Sequence, residues 1–244
     1  MNSRGLPRAV LNSLRGDVSI LTVGSGLWAD IRAVEVGEQL GQFSFVPVLF
    51  GKRLERVCLS LSGRHNMQNA LFALGLAQVA GADLAGACRG VAAFTGVRRR
   101  FEVHSGPGGG LLVNDYAHHP VEIRCVLQTA RRRFPGRRLM VVFQPHQFQR
   151  TLCLLEEFAD VLATADRCLL ADIYGARESA QMRAAVSSED LAALVRDRGG
   201  ECTAAGAVAG LPDLVASVRG REDVVMVLGA GDIDSAVGGI LAVI

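Results

Sequence analysis

The chain lacks long apolar stretches, although half of its 244 residues are hydrophobic. No apolar run reaches the roughly 18–20 residues that are needed to span a bilayer. The N-terminal residues 1–15 carry arginines but have neither the apolar core nor the small-residue cleavage site of a signal peptide. The net charge of +2 is too small to indicate a nucleic-acid partner. We therefore expect a soluble cytoplasmic protein that binds neither nucleic acid nor membrane.

Two kinds of motif are also missing. The six cysteines form no C-x-x-C pair, and no cysteine–histidine cluster has the spacing of zinc ligands, so we predict no metal site. Because most of the thiols lie in apolar stretches, we expect them to be buried and reduced. Gly51-Lys52 is followed by Arg53 and has no upstream glycine at the required distance. The chain therefore has no G-x-x-x-x-G-K-[ST] phosphate loop of its own.

Two patterns of secondary structure meet near residue 98. Before this point, short strands and Gly-rich turns indicate a β-meander that is followed by helices. After it, strand and helix signals alternate, which predicts an α/β domain with parallel strands. We predict domains at 1–98 and 99–244. The predicted strands are 18–23, 29–36, 42–50, 56–61, 111–114, 139–143, 168–173 and 224–228, and the predicted helices are 67–79, 84–94, 120–133, 152–163, 188–198 and 211–218.

The strongest functional signal comes from two polar segments that follow predicted strands. They are Asp115-Tyr-Ala-His-His-Pro120 and Phe143-Gln-Pro-His146, the second closed by Arg150-Thr151. Open parallel sheets collect their binding groups at the carboxyl ends of the strands. We therefore expect three of the five histidines, a carboxylate, a phenol and a guanidinium to converge on one edge of the sheet. Such a set suits an anionic or nucleotide-like ligand.

Three further segments each allow two interpretations. His65 and Asn66 begin a predicted helix, with Asn69 one turn later, so they suit an anion and a purine edge, but Asn66 alone is also a good helix cap. Arg98–Arg100 at the predicted boundary suit a phosphate, with Phe101 packed beneath them, or form a solvated basic linker. Gly229-Ala-Gly231-Asp232 is similar to a phosphate turn, but a tight structural turn is the better interpretation.

In this order, the segments resemble those of the Mur ligases, and most of all their muramate–alanine branch. The similarity covers nearly the whole chain. It implies that residues 1–98 are the truncated end of the family's central ATPase domain. Residues 99–244 would form its C-terminal Rossmann-like domain with a mostly parallel sheet. The segments that carry the resemblance are Gly63-Arg-His-Asn-Met-Gln-Asn69, Gly96-Val-Arg-Arg-Arg-Phe-Glu102, the two segments after the strands, and Leu228-Gly-Ala-Gly-Asp-Ile233.

The resemblance implies an ATP-dependent ligase that joins L-alanine to UDP-N-acetylmuramate in peptidoglycan synthesis, with ATP and Mg²⁺ as cofactors. The sequence lacks the family's UDP-binding domain, its phosphate-loop lysine, and the Glu and His of the central domain that serve magnesium. We therefore expect a C-terminal fragment, split gene product or remnant, inactive without a separately encoded N-terminal half. The alternatives are a non-catalytic nucleotide- or muropeptide-binding module and a fragment of a muropeptide-recycling ligase.

The resemblance also implies roles for single residues. His65, Asn66 and Asn69 would contact the adenine of ATP, Arg100 its phosphates, and Asp115 would help to hold the nucleotide. The side chains that would line the substrate side are Tyr116, His118, His119, His146 and Arg150, with Arg150 on the carboxylate of alanine. The family commonly has arginine where this chain has Gln147, and a small hydroxyl residue where it has Gln149. One charge-assisted contact is thereby lost, about 1.5–3 kcal/mol.

Overall fold

The computed structural model describes residues 20–24, 26–175 and 178–244. The chain divides into two units, the first ending at Thr95 and the second beginning at Gly96. We predicted the boundary between residues 98 and 99, slightly beyond the observed one. The whole Arg98–Arg100 segment therefore belongs to the second unit. The assignment of residues 1–98 to a partial central domain stays a prediction.

In the first unit, an antiparallel sheet is followed by two helices. Strand β2 pairs with β1, β3 and β4, and the β1–β2 hairpin turns through Leu40 and Gly41, both at positive φ. Ile31 and Phe45 of the sheet and Leu74 of the first helix are fully buried in a common core. The elements are β1 (Ile31–Gln39), β2 (Gln42–Leu49), β3 (Lys52–Arg53), β4 (Val57–Ser62), α1 (Arg64–Val79) and α2 (Leu84–Ala93).

The strand that we predicted at 18–23 is wrong over its described part. Val18 and Ser19 lie outside the described residues, and over the rest only Val23 forms an isolated bridge, to Ile31. The N–H and hydroxyl of Thr22 both donate to the carboxylate of Asp30, at 2.9 and 2.5 Å. A side chain therefore takes the place of a ladder partner here.

The second unit is a six-stranded sheet in the order β5-β6-β10-β7-β8-β9. All neighbouring strands are parallel except β5, which runs antiparallel to β6 at one edge. This confirms the predicted α/β fold with a mostly parallel sheet. The strands are β5 (Glu102–Ser105), β6 (Leu111–Asp115), β7 (Leu139–Phe143), β8 (Arg167–Ala171), β9 (Cys202–Gly206) and β10 (Val224–Leu228).

Helices cover both faces of this sheet, because its central strands are apolar at every position. In β7, Leu139 and Val141 face a core formed with α3, α5 and α7, whereas Met140 and Val142 face a core formed with α8 and α9. The helices are α3 (Pro120–Arg133), α4 (Phe148–Cys153), α5 (Leu155–Leu162), α6 (Ala180–Arg183), α7 (Ser188–Asp197), α8 (Leu211–Val218) and α9 (Val237–Val243).

Some predicted elements need correction. The helix that we predicted over 152–163 is divided into α4 and α5, because Leu154 leaves helical geometry with φ −118° and ψ 24°. Half of the cysteines, Cys88, Cys168 and Cys202, are buried free thiols, but Cys58 and Cys153 are exposed, contrary to our expectation. Within the described ranges, every helix is too short or too polar to cross a membrane.

Candidate functional site

Strands β6, β10, β7 and β8 direct their carboxyl ends to one edge of the second-unit sheet. Asp115 at the end of β6 and Phe143 at the end of β7 each pair with Leu228 at the end of β10. Strand β10 therefore lies between the two strands whose loops we expected to converge. The loops still meet, because the ring centroids of His118 and His146 lie 6.1 Å apart.

The Asp115 carboxylate is buried and connects two segments of the backbone. Its Oδ2 accepts the N–H of Phe101 at 2.7 Å, and its Oδ1 accepts the N–H of Ala117 at 2.8 Å. Burial raises the pKa of the Asp115 carboxyl above its ordinary value, although these two donors and the Arg100 guanidinium oppose the rise. Asp115 thus fixes the arginine segment against the end of β6.

Arg99 and Arg100 both lie near the ring of Tyr116. Their guanidinium carbons are 4.9 and 5.6 Å from the ring centroid. Arg99 also donates to the carbonyl oxygen of Gly229 at 2.5 Å, and its Nε lies 3.4 Å from a carboxylate oxygen of Asp234. The interpretation of this segment as a solvated linker is therefore wrong for Arg99. Arg100 is exposed, so its guanidinium is accessible to an anion.

The adjacent histidines use their Nδ1 atoms in opposite ways. Nδ1 of His118 lies 3.0 Å from the carbonyl oxygen of Tyr116, which only accepts, so a neutral His118 keeps its lone pair on Nε2. His119 is the N-cap of α3, where its Nδ1 accepts the N–H of Val121 at 3.3 Å and Glu122 completes a capping box. His119 therefore has a structural role, and its contact with substrate stays a prediction.

His146 stacks on a tyrosine that follows β8. The rings of His146 and Tyr174 have centroids 5.4 Å apart and planes 11° apart. Tyr174 is held by the backbone on either side of His146, since its N–H donates to Pro145 and its carbonyl oxygen accepts from Gln147, both at 2.8 Å. Burial, then Arg150, then His118 lower the pKa of His146. A neutral imidazole at neutral pH follows, and such a ring has one nitrogen that accepts and one that donates a hydrogen bond.

Arg150 stands one helical turn beyond His146, with Nη1 3.5 Å from Nδ1 of that histidine. A guanidinium only donates, so the contact uses the Nδ1 lone pair of His146. Across the described part of the chain, no carboxylate forms an ion pair with Arg150. A partly exposed guanidinium that has no carboxylate counter-ion among the described residues is suited to a carboxylate or phosphate of a ligand.

Gln147 and Glu178 shape the start of α4. Gln147 adopts the left-handed φ of 72° and gives the helix no side-chain cap. Glu178 caps it instead, because its two carboxylate oxygens accept the N–H groups of Phe148 and Gln149, each at 2.9 Å. The backbone strain at Gln147 thus lies directly beside His146.

The turn after β10 packs tightly against Gln144. The Gln144 Nε2 donates to Asp232 at 2.7 Å, and its Oε1 accepts the N–H of Ile233 at 3.0 Å. A Cβ on Gly231 would clash with that Oε1 and would lie 2.8 and 2.9 Å from Cγ and Cβ of Tyr174, so a larger residue requires its neighbours to shift. These contacts favour the structural interpretation of the turn.

In the first unit, α1 begins behind Gly63, which is its N-cap with φ 102° and without any side-chain cap. The alternative in which Asn66 caps the helix is therefore wrong. Asn66 Nδ2 donates to the carbonyl oxygen of Ser62 at 2.8 Å, and Asn69 Nδ2 lies 3.3 Å from Asn66 Oδ1. His65 lies in the first turn of α1.

Asn66 and Asn69 line a pocket of about 390 Å³ in the first unit. Its other lining residues are mostly apolar, and Phe94 at its rim is half exposed. A concave apolar surface with two amides suits a flat heteroaromatic ring that has hydrogen-bonding edges. The other residues that line the pocket are Leu59, Leu61, Ala70, Ala73, Gly90 and Val91.

Sequence reasoning selected the segments that contain Arg99 and Gln144 without giving these two residues a role of their own, and it missed Tyr174 and Glu178. Tyr174 directly follows the predicted strand 168–173, so the rule that selected Tyr116 and His146 also selects it. Nothing in the local sequence indicates that Glu178 caps a helix 30 residues earlier. Within the described residues, no group of three or more His, Cys, Asp or Glu side chains is arranged to hold a metal ion.

Replacing Asp115 with asparagine is expected to lower the free energy of unfolding by about 1–3 kcal/mol at neutral pH. The amide offers one acceptor oxygen to two buried N–H donors. Because the folded state raises the pKa of Asp115, its contribution to stability is largest when it is protonated and falls as pH rises through the folded pKa. The stability difference between wild type and Asp115→Asn should therefore shrink as the pH rises above about 4, the ordinary pKa of an aspartate.

Urea unfolding at a series of pH values measures this difference. Asp213→Asn, at an exposed aspartate on α8, is the matched control. Its free energy of unfolding should differ little from that of the wild type at every pH. A stability difference for Asp115→Asn that grows with pH would show that the hydrogen bonds, and not burial, dominate the titration.

Comparison with known proteins places the chain in a family. Residues 99–231 match the model of the Mur ligase, glutamate ligase domain. The chain is 41% identical over 228 residues to the UDP-N-acetylmuramate–L-alanine ligase of Halorhodospira halophila, covering 90% of this chain and 46% of that protein. Its identity to the corresponding ligase of Salinibacter ruber is 37% over 230 residues, covering 91% and 47%.

The solved structures agree with this. The crystal structure of the UDP-N-acetylmuramate–alanine ligase from Thermotoga maritima superimposes with a TM-score of 0.72 at 26% identity, covering 91% of this chain and 47% of that one. The chain thus spans about half the length of the curated relatives it matches. Because the family domain extends over more than half of the chain, from Arg99 to the turn after β10, the chain belongs to the Mur ligase family.

Proposed function

We propose that this chain is the amino-acid-binding half of a cytoplasmic UDP-N-acetylmuramate–L-alanine ligase, and that it acts together with an N-terminal half that carries the phosphate loop. The observation that carries the proposal is the pairing of Arg150, which has no carboxylate partner among the described residues, with a neutral His146. An amino acid presents one carboxylate and one amine, and this pair offers a guanidinium and an imidazole.

In this proposal Arg150 holds the carboxylate of L-alanine. The amine has to lose a proton before it attacks the muramate carboxyl carbon. The Nε2 atom of His118 has the lone pair to accept that proton, because its Nδ1 faces the carbonyl oxygen of Tyr116. Tyr174 orients the His146 ring by stacking on it. Because Gln147 stands where the family commonly has an arginine, the site has one guanidinium fewer. Arg150 therefore makes the main contact with the alanine carboxylate.

The residues present also fit ATP. Asn66 and Asn69 would pair with the adenine edge in the apolar pocket of the first unit, as amides do with adenine elsewhere. Arg100, exposed on the second unit, would contact phosphate. ATP supplies the phosphoryl group that activates the muramate carboxylate. The described residues offer no ligand cluster for Mg²⁺, so we assign no step of this chain's chemistry to a metal.

The test is reconstitution with a separately produced N-terminal half of the Halorhodospira halophila ligase. We expect ATP-dependent phosphate release that requires both halves, UDP-N-acetylmuramate and L-alanine. Each half alone is the control and should release no phosphate above background. Phosphate release that does not depend on L-alanine would overturn the proposed activity. The absence of phosphate release from the associated halves would also overturn it. Nucleotide binding without phosphate release would favour the binding-module alternative.

The adenine assignment has its own variant pair in the same assay. Asn69→Ala is expected to raise the KM for ATP about tenfold, since one good bidentate amide–adenine contact is worth about 1–3 kcal/mol. Gln68→Ala, at the exposed neighbouring residue outside the pocket, is the matched control and should leave the KM for ATP unchanged. Equal KM values for the two variants would remove Asn69 from the nucleotide site.

A further inference from the structure

Two buried cysteines lie side by side at one edge of the second-unit sheet. Cys168 in β8 and Cys202 in β9 are direct partners in the ladder that joins these strands. Both belong to the core that the sheet forms with α3, α5 and α7, and they are 1% and 5% exposed. Their thiols are in hydrogen-bonding contact. The fold therefore brings the two sulfur atoms together on the same face of the sheet.

The spacing of the two strands suits a covalent bond between these thiols. Neighbouring strands lie about 4.8 Å apart, and the Cα atoms of a disulfide are usually separated by roughly 4.4–6.8 Å. Among the described strands, β9 pairs with β8 alone. Because β9 is an edge strand, it can move closer to β8 without disturbing a second ladder.

The surroundings make Cys202 the more reactive of the two thiols. The hydrogen bond with the Cys168 thiol lowers the pKa of Cys202 by more than burial raises it, and the Arg196 guanidinium lowers it further. Arg196 is held beside this residue, since its Nη1 donates to the carbonyl oxygen of Cys202 at 3.1 Å. The same hydrogen bond and burial raise the pKa of Cys168. The thiolate is the nucleophile in cysteine chemistry, so Cys202 is suited to react first.

We propose that Cys168 and Cys202 are a redox-active pair that a peroxide converts into a disulfide. The Cys202 thiolate attacks one peroxide oxygen, and the O–O bond breaks to give a sulfenic acid and a hydroxide, which takes up a proton and becomes water. The sulfur of Cys168 then attacks the sulfenic sulfur. The hydroxyl group leaves with the Cys168 proton as a second water. Two thiols are thereby oxidised to one disulfide, and one peroxide is reduced to two waters.

The disulfide would strengthen the second unit and not change the candidate site. Cys168 and Cys202 lie at the amino ends of β8 and β9, whereas the candidate site lies at the carboxyl ends of the strands. The bond would close a loop that contains α6 and α7, and a closed loop restricts the unfolded chain. The inference therefore does not depend on the proposed ligase function.

The test treats the reduced full chain, carrying Cys58→Ser and Cys153→Ser so that exposed thiols do not compete, with hydrogen peroxide. Remaining thiols are blocked under denaturing conditions, and mass spectrometry maps the disulfides. We expect a link between the peptides that contain Cys168 and Cys202, which dithiothreitol removes. The urea midpoint of the oxidised protein, reported by tyrosine fluorescence, should be about 1–2 M higher than that of the reduced protein.

Cys88 is the internal control, since it is 4% exposed but lies in the core of the first unit. It should stay reduced. Cys202→Ala is the matched variant, because it keeps a small side chain and removes the partner of Cys168. Peroxide should leave its urea midpoint unchanged. Three outcomes would overturn the redox pair: Cys168 and Cys202 recovered without a link, Cys88 oxidised as fast as Cys202, or the same rise in midpoint for Cys202→Ala.

Discussion

Arg150→Ala is expected to lower kcat/KM for L-alanine about 10- to 150-fold in the reconstituted ligase. A charge-assisted hydrogen bond to a carboxylate contributes about 1.5–3 kcal/mol, and each 1.4 kcal/mol is a factor of ten. The full effect is expected because Gln147 leaves no second guanidinium on this loop to compensate. Arg150→Lys should restore part of the activity, since an ammonium keeps the charge but not the bidentate geometry.

A second measurement separates a binding role of Arg150 from a merely structural one. Arg150 is one cause of the lowered pKa of His146, so Arg150→Ala should raise the pKa of that histidine in an NMR titration. Arg124→Ala, at an exposed arginine on α3, is the matched control and should change neither value. If Arg150→Ala instead raised the KM values for ATP and L-alanine equally, its assignment to the alanine carboxylate would be wrong.

The largest loss of stability is expected for Phe158→Ala in α5. Phe158 is fully buried, and its ring centroid lies 5.5 Å from that of Phe143 at the end of β7. Truncation of a buried phenylalanine costs about 3–5 kcal/mol, because the cavity adds to the lost transfer free energy. Since Phe143 directly precedes the His146 loop, the same cavity should also loosen the site.

The chain's few aromatic fluorophores allow this loss to be localised. Its single tryptophan, Trp28, lies in the first unit, whereas its two tyrosines, Tyr116 and Tyr174, lie in the second. Phe158→Ala should shift the transition that tyrosine fluorescence reports to lower urea. Leu152→Ala, at a 42% exposed position on α4, is the control and should change stability by less than about 0.5 kcal/mol. An unchanged tyrosine transition would contradict the assignment of Phe158 to the core that the sheet forms with α3, α5 and α7.

The sequence predicted the centre of the second unit well and its edges poorly. Strands β7 and β10 and helix α3 have the predicted bounds, since central strands of a parallel sheet are continuous apolar runs. Strands β5 and β9 were missed. They lie at the two edges of the sheet, and β9 is built from small residues with only Cys202 buried.

For the candidate site, too, one part could be predicted from the sequence and another part could not. The position of His118, His146 and Arg150 at one edge follows from the rule that strands of one sheet end together. The contacts of Arg99 with Gly229 and Asp234 do not follow from it, because they depend on β10 being inserted between β6 and β7. Strand order is a property of the whole chain, and no local pattern encodes it.

The central position of β10 has a consequence for synthesis on the ribosome. β10 is formed by residues 224–228, yet it lies between β6 and β7. β6 is made about a hundred residues before β10. Until those late residues emerge, the nascent sheet stays in two pieces with two unsatisfied inner edges. The loops bearing His118 and His146 then have no common support, so the edge that carries both histidines is completed only after residues 224–228 have been made.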